Sequence, residues 1–285
     1  MEDKNNFEIT WLPLWKCNFK CPYCPLFEET NALEFQPLNT LIKIWNNLFE
    51  KIQSSNLKIT LNISGGEPTI YPNFFKLLQY FITKVSKIHV STNLSFNPYD
   101  FLNLKFPTNT ICFHATFHPS CMSVDDFIKN LVPLKQYLIN ESVEFVADKN
   151  NLENQKMIIK KINDCGIKVK FLFLKFIGQD LPDKKNYTNA KIINSEREIK
   201  TIQKIRAEQI VKGSDYEIAK KGPFGKKCLA GYKSIYILPN GNITRCALDP
   251  TYLWNIFDRD IINLYQEPQI CKQKICPSQY LNIIE

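Results

Sequence analysis

Nowhere in the 285-residue chain is there an unbroken apolar run of about eighteen residues, the length a membrane-spanning helix requires. Its start, MEDKNNFEIT, is acidic where a secretory signal would be basic and then apolar. These two absences predict a soluble, cytoplasmic protein with no membrane partner. No low-complexity segment occurs, and no internal repeat is longer than a single βα unit. Histidine is scarce, with three in the whole chain, so the position of each carries information. The formal charge is +8, but the lysines are scattered through an Asn- and Ile-rich sequence and form no basic stripe, which argues against nucleic acid as the partner.

Cysteine, by contrast, is plentiful at ten residues. In a reducing compartment a disulfide framework is not expected, and a chain of this length buries a core without one. Clustered thiols therefore point to metal or redox chemistry.

Short apolar runs alternate with longer amphipathic ones. Phe7 to Pro13, Lys58 to Ser64, Lys87 to Thr92, Thr110 to Pro119, Val143 to Ala147 and Ile167 to Phe176 read as strands. Leu38 to Ser54, Pro72 to Lys84, Val124 to Leu138 and Leu152 to Cys165 have helical spacing, the last closed by the stop signal at Asn163 to Gly166. A βα repeat of this kind gives parallel strands, in an open sheet or in a full or partial barrel. The sequence divides into residues 1–194 as the βα core, 195–221 as a connection with a helix over Ser195 to Lys212, and 222–285 as a small C-terminal domain. The last begins where the composition changes, and Asn240-Gly241 marks a hairpin within it.

Alternation along the strands sorts their side chains. In CFHATFHP the set Cys112, His114, Thr116, His118 opposes Phe113, Ala115, Phe117, and the apolar set belongs under helices. Asn62 and Ser64, and His89, Ser91 and Asn93, separate from their apolar neighbours in the same way. All three histidines thus share a polar face, which is either a set of mutually bonded buried groups or a place that holds something polar.

The densest thiol cluster is KCNFKCPYCP, where Cys17, Cys21 and Cys24 follow the first strand. Parallel βα folds put their active sites at that end of the strands. A structural zinc site takes four ligands, usually as two separated pairs, and here no fourth Cys or His is near in sequence. A cube of iron and sulfide held by three thiolates leaves one iron open, so the missing fourth ligand is itself a working position.

Cys17-Asn-Phe-Lys-Cys21-Pro-Tyr23-Cys24 resembles the CxxxCxΦC signature of the radical S-adenosylmethionine (SAM) superfamily. Ser64-Gly65-Gly66-Glu67-Pro68, after the second strand, resembles its GGEP motif. The resemblance spans roughly Phe7 to Phe176 and implies a partial (β/α)6 TIM-like barrel of α/β class. It also implies a 4Fe-4S cluster on Cys17, Cys21 and Cys24, with SAM on its open iron, cleaved reductively to a 5'-deoxyadenosyl radical that abstracts hydrogen from substrate. Tyr23 is then expected near adenine, Ser64, Gly65, Gly66, Glu67 and Pro68 near the methionyl group, and Ser91, Asn93 and Thr116 near ribose or carboxylate. Leu94 stands where relatives often have glycine. An electron donor such as flavodoxin or ferredoxin is implied as a partner.

Cys228, Cys246, Cys271 and Cys276 form a second set. The run from Cys228 to Cys246, with Gly241 placed so that four residues precede Cys246, resembles an element of the C-terminal SPASM and twitch extensions. These imply a small α+β domain with one auxiliary 4Fe-4S cluster; a structural zinc site fits four thiolates equally. His114, His118 and Cys121 are the candidate catalytic residues, the histidines as proton acceptors and Cys121 as a substrate contact or hydrogen donor. Lys170, on the sixth strand, is expected to face the histidines. The substrate is a peptide or a small molecule. The short stretch before Cys17 leaves no room for a leader-binding domain, which leans toward the small molecule. A non-catalytic Fe-S or zinc protein that binds RNA is the alternative, and the GGEP-like motif argues against it.

Overall fold

The computed structural model describes residues 5–21, 24, 35–53, 57–147, 152–173, 223–246, 249–258, 264–273 and 283–284. Tyr23, Cys276, the expected helix at 195–212 and the end of the sixth strand at 174–176 lie outside them. In chain order the strands are β1 (Asn6–Trp11), β2 (Lys58–Ile63), β3 (Lys87–Thr92), β4 (Ile111–Phe117), β5 (Ser142–Ala147), β6 (Lys168–Phe173), β7 (Lys227–Cys228), β8 (Ser234–Ile237), β9 (Asn242–Cys246), β10 (Asp249–Asn255), β11 (Gln269–Ile270) and β12 (Ile283–Ile284). The helices are α1 (Leu38–Gln53), α2 (Phe74–Phe81), α3 (Pro98–Leu102), α4 (Val124–Leu131) and α5 (Leu152–Asp164). Among the described residues no helix is long and apolar enough to cross a membrane. The chain forms two compact units, Met1–Trp15 with Thr30–His89 and Ser214–Glu285, and Lys16–Glu29 with Val90–Gly213.

In the first unit β1 lies parallel to β2, with Phe7 opposite Ile59 and Trp11 opposite Ile63. The period of two buries Phe7, Ile9 and Trp11 on one face. Trp45 from α1 meets Trp11 edge-on at 5.3 Å and Phe81 from α2 at 4.8 Å between ring centroids. Such large rings carry much of a core's energy, at about 2–3 kcal/mol each for full burial. The other edge of β1 pairs with β8, also in parallel, from Glu8↔Ser234 to Trp11↔Ile237. The antiparallel β9 and β10 follow, so the strand order runs β10-β9-β8-β1-β2 and then β3. The β8–β9 hairpin turns where expected: Gly241 has φ +81°, a conformation that favours glycine, and its N–H donates to Leu238 O. A separate antiparallel sheet, β11-β7-β12, gathers the short C-terminal strands.

In the second unit the strands run in the order β4-β5-β6 with parallel pairing. Strand β4 buries Ile111, Phe113, Ala115 and Phe117 and leaves Cys112, His114 and Thr116 half-exposed, the alternation expected from the sequence. Phe101 packs Phe106, Phe113 and Tyr137 around itself with centroids 4.7 to 4.9 Å away. Helix α3, which the sequence pattern did not suggest, is only five residues long and starts at Pro98 under an Asn97 cap. Helix α4 is capped by Ser123 Oγ, which accepts from Asp126 N at 3.1 Å. It ends at Leu131, short of the expected Leu138, and continues as a 3-10 turn over Val132–Tyr137. Pro133 explains the difference, because it lacks the N–H that would extend the α-helical ladder. Gly166 closes α5 at φ +69°, and its N–H donates to Asn163 O at 2.7 Å.

Candidate functional site

The loop carrying Cys17 and Cys21 is tied to the end of β3. Asn93, 4% exposed, donates from Nδ2 to Asn18 Oδ1 at 3.0 Å and to Cys17 Sγ at 3.7 Å. Asn18 donates to Ser95 Oγ at 2.7 Å, and the Ser95 backbone N–H returns to Asn93 Oδ1 at 2.9 Å, closing a ring of hydrogen bonds among three residues. Phe19 N donates to Cys17 Sγ at 3.3 Å, and Cys24 N to Cys21 O at 3.0 Å. Phe19 also meets His118 edge-on at 6.1 Å. Two N–H groups thus point at one cysteine sulfur.

The backbone at Leu94 is left-handed, φ +54°, although the side chain is fully buried. Its N–H donates to Thr92 Oγ1 at 3.1 Å, and its carbonyl accepts from Asn130 Nδ2 at 2.8 Å. This sharp reversal turns Asn93 back toward the cysteine loop. It is the backbone conformation that glycine adopts most readily.

None of Cys17, Cys21 and Cys24 is in a disulfide. Among the described residues no group of three or more His, Cys, Asp or Glu is gathered for one metal ion. A zinc ion needs donors that converge at about 2.3 Å from one point. A cube takes each thiolate on a different iron, so its donors stand apart. Three thiols in one loop, with two N–H groups on the Cys17 sulfur, are a donor set that a cube with one open iron can take.

In the first unit the glycine-rich stretch is sewn to the chain just after β1. Gly66 N donates to Leu14 O at 2.9 Å, and Ser64 N to Trp11 O at 3.0 Å. Gly65 has φ +115°, and a Cβ there would stand 2.6 Å from Leu14 O, inside contact distance of a backbone atom. Glu67 is buried; its Oε1 caps a 3-10 turn by accepting from Thr69 N at 3.1 Å and Thr69 Oγ1 at 2.7 Å. Pro68 opens that turn. Glu67 therefore has a structural duty that its motif did not reveal.

On the polar face of the second unit, Thr116 sits opposite Glu144 on β5, and Glu144 opposite Lys170 on β6. Thr116 Oγ1 donates to Glu144 Oε2 at 3.5 Å. Ser91 lies half-exposed on β3. His114 titrates below the usual histidine range because burial disfavours its charged form and the Lys170 ammonium adds to the effect. Burial alone pushes His118 down to about 4. Both are neutral at pH 7, and His118 is a weaker base than a free imidazole. The sequence reading missed Glu144, although the alternation in VEFVA puts it on the polar side. It missed Asn18 and Ser95 too, for which no local signal exists.

Cys121 does not stand alone: its Sγ is 3.5 Å from Cys21 Sγ and 3.6 Å from Ser120 Oγ. Its turn is set by Cys121 N and Met122 N, both donating to His118 O. In the C-terminal region Cys228 and Cys271 are buried against Ala230 in one small cluster, with Cys246 packed on it. Three of the four expected thiols are therefore together, and the fourth, Cys276, is outside the described residues.

No family model matches the chain. Among curated proteins it is 25% identical over 286 residues to the antilisterial bacteriocin subtilosin biosynthesis protein AlbA of Bacillus subtilis (strain 168), covering 93% of this chain and 60% of AlbA. It is 30% identical over 101 residues to an S-adenosylmethionine-dependent nucleotide dehydratase of Selenomonas ruminantium, covering 34% of this chain and 33% of that protein. The chain thus spans less than two thirds of AlbA and about a third of the dehydratase. Among solved structures, Streptococcus suis SuiB bound to S-adenosylmethionine superposes with a TM-score of 0.58 at 16% identity, covering 90% of this chain and 64% of SuiB. SuiB bound to its precursor peptide SuiA gives 0.56 at 17%, covering 84% and 59%. The structure of anSMEcpe with bound AdoMet gives 0.57 at 14%, covering 92% and 80%. At these identities the likeness is one of fold, α/β with a mostly parallel sheet.

Proposed function

We propose that this member of the radical SAM superfamily binds a 4Fe-4S cluster through Cys17, Cys21 and Cys24 and modifies a peptide by hydrogen abstraction. The observation that carries the reading is the cysteine loop itself: three thiols free of disulfides, with Asn93 and Phe19 N–H groups directed at Cys17. When bound, the cluster and SAM supply the reductive cleavage that yields a 5'-deoxyadenosyl radical.

The chain's own residues bind, orient and shield. Asn93 holds the cysteine loop through Asn18 and Cys17. Ser64, Gly65, Gly66, Glu67 and Pro68 take the methionyl end of SAM, the glycines by letting backbone approach it closely. Tyr23 lies against adenine, and Ser91 and Thr116 serve ribose or carboxylate. His114, His118 and Cys121 act on the substrate side: the neutral histidines accept hydrogen bonds or a proton, and Cys121 contacts substrate or donates hydrogen. Cys228, Cys246, Cys271 and Cys276 hold one auxiliary 4Fe-4S cluster in a SPASM/twitch-like domain over residues 222–285. The core is a partial (β/α)6 barrel, and a small flavodoxin- or ferredoxin-type protein delivers the electron.

A peptide substrate is favoured over a small molecule by two relatives: SuiB is seen with a precursor peptide, and AlbA is a bacteriocin biosynthesis protein. The test is anaerobic reconstitution with iron, sulfide and reductant, followed by assay for 5'-deoxyadenosine. Wild-type protein is expected to cleave SAM, and the Cys17→Ala/Cys21→Ala/Cys24→Ala protein is expected not to, while keeping its C-terminal metal. Cleavage by the triple variant would overturn the reading.

A further inference from the structure

A buried guanidinium is bonded to the backbone beside the C-terminal thiols. Arg245 precedes Cys246 on β9 and is 5% exposed. Its Nε donates to Ala230 O at 2.9 Å, two residues beyond Cys228. Its Nη2 donates to Gln269 O at 3.1 Å, and its Nη1 to Ile270 O at 3.5 Å, the two residues before Cys271. Nη1 also pairs with the Asp249 carboxylate at 3.1 Å. Tyr265 lies over the group, 5.8 Å from ring centroid to Cζ.

The contact reaches a sulfur within one residue, because Ala230 N donates to Cys228 Sγ at 3.5 Å while Ala230 O accepts from Arg245. The enclosure is tight on the remaining side: a Cβ on Gly231 would meet the Tyr265 ring at 2.6 Å and Arg245 Cγ at 3.2 Å. Burying a guanidinium costs several kcal/mol of desolvation, and a well-packed apolar side chain fills such a space with equal or better stability. The forked donors do what an apolar group cannot, which is to hold two other backbone segments against Arg245's own strand at once. Each of those segments carries a cysteine.

We propose that Arg245 is the positioning residue of the C-terminal metal site, clamping the segments of Cys228, Cys246 and Cys271 and bringing a cation, paired with Asp249, to the backbone that carries them. The proposal rests on the reading that these thiols hold an auxiliary cluster. A cation fixed beside a cluster favours its reduced, more negative state, so the clamp acts on potential as well as on geometry.

The test uses full-length protein with Cys17, Cys21 and Cys24 replaced by alanine, so that only the C-terminal site remains, reconstituted anaerobically. Iron, sulfide and zinc per chain, iron release to a chelator and the reduction potential are measured in this parent and with Arg245→Met, Arg245→Lys and Asp249→Asn added. The parent is expected to hold roughly four irons, as one cube requires. Arg245→Met is expected to retain less than half of that, to release it several-fold faster and to shift the potential negative. Arg245→Lys keeps the charge without the fork, so its potential stays near the parent's while its iron release is faster. Asp249→Asn leaves the three carbonyl bonds in place and is expected to retain iron as the parent does.

Parent-like iron content, release and potential in Arg245→Met would overturn the proposal. If that variant does not fold, as judged by far-UV circular dichroism, Arg245→Lys decides, and parent-like release from it is the overturning result. A parent that takes up no iron, or takes up about one zinc instead, defeats the auxiliary-cluster reading. In the zinc case the clamp is still tested by zinc release from the same variants.

Discussion

Cys21 and Cys121 are 100 residues apart in sequence, yet their Sγ atoms lie 3.5 Å from each other. Thiolates on different irons of one cube diverge, whereas these sulfurs are in contact, so this geometry does not make Cys121 a fourth ligand of the proposed cluster. In cluster-free protein the pair is placed to oxidise. With oxidised glutathione as the oxidant, two thiols become one disulfide and two molecules of reduced glutathione are released. Peptide mapping of oxidised apoprotein is expected to find Cys21 joined to Cys121, and iron uptake is expected to need prior reduction. Cys121→Ser removes both effects; a Cys21 joined to Cys17 or Cys24 instead would refute this expectation.

Leu94 sets two effects against each other. Its left-handed backbone costs about 1–2 kcal/mol in a non-glycine residue. Its fully buried side chain is worth about 2–5 kcal/mol against truncation. Burial wins, so Leu94→Gly is expected to destabilise the protein by about 1–3 kcal/mol even though glycine suits the turn. Urea unfolding measures this, and a stabilised variant would show that the strain dominates.

Gly65 has no such compensation. Alanine there meets Leu14 O at 2.6 Å with φ at +115°, and backbone cannot move aside as a flexible side chain can. Gly65→Ala is expected to cost more than about 1 kcal/mol and to weaken SAM binding. Equilibrium dialysis of the reconstituted protein with labelled SAM, beside a melting curve, reports both losses. Wild-type values for both would remove Gly65 from the site.

His118 makes stability depend on pH. Its folded value, pushed down by burial to about 4, lies below its ordinary 6.5, so the unfolded chain binds the extra proton first as pH falls. Stability is therefore full above pH 6.5 and is lost as pH falls toward 4, by on the order of 3 kcal/mol from this residue. Denaturant unfolding of apoprotein at pH 7 and pH 4.5 is expected to show the loss, and His118→Gln to flatten it. An unchanged slope in that variant would assign the pH dependence elsewhere.

Much of the secondary structure was legible in the sequence, because strand and helix periods are local. The alternation in CFHATFHP placed His114 and Thr116 on the polar face of β4, and Gly166 and Gly241 marked a stop and a turn that the backbone then made. The spacing of Cys17, Cys21 and Cys24 was likewise a local signal, sufficient by itself to propose three ligands and an open position. Helix α3 escaped because five residues carry too little period, and α4 stopped early because one proline outweighed an amphipathic pattern.

What tertiary structure alone decided is partnership across distance. That Cys121 reaches Cys21, that Thr116, Glu144 and Lys170 fall in one line, that β8 pairs with β1, and that Arg245 holds the backbone around two other cysteines all depend on register and on chain crossings. A residue's own neighbours in sequence determine which way it faces, but not what stands opposite. That is settled only when burial of the apolar faces selects one register, since a slip by one residue would turn every side chain to the wrong side.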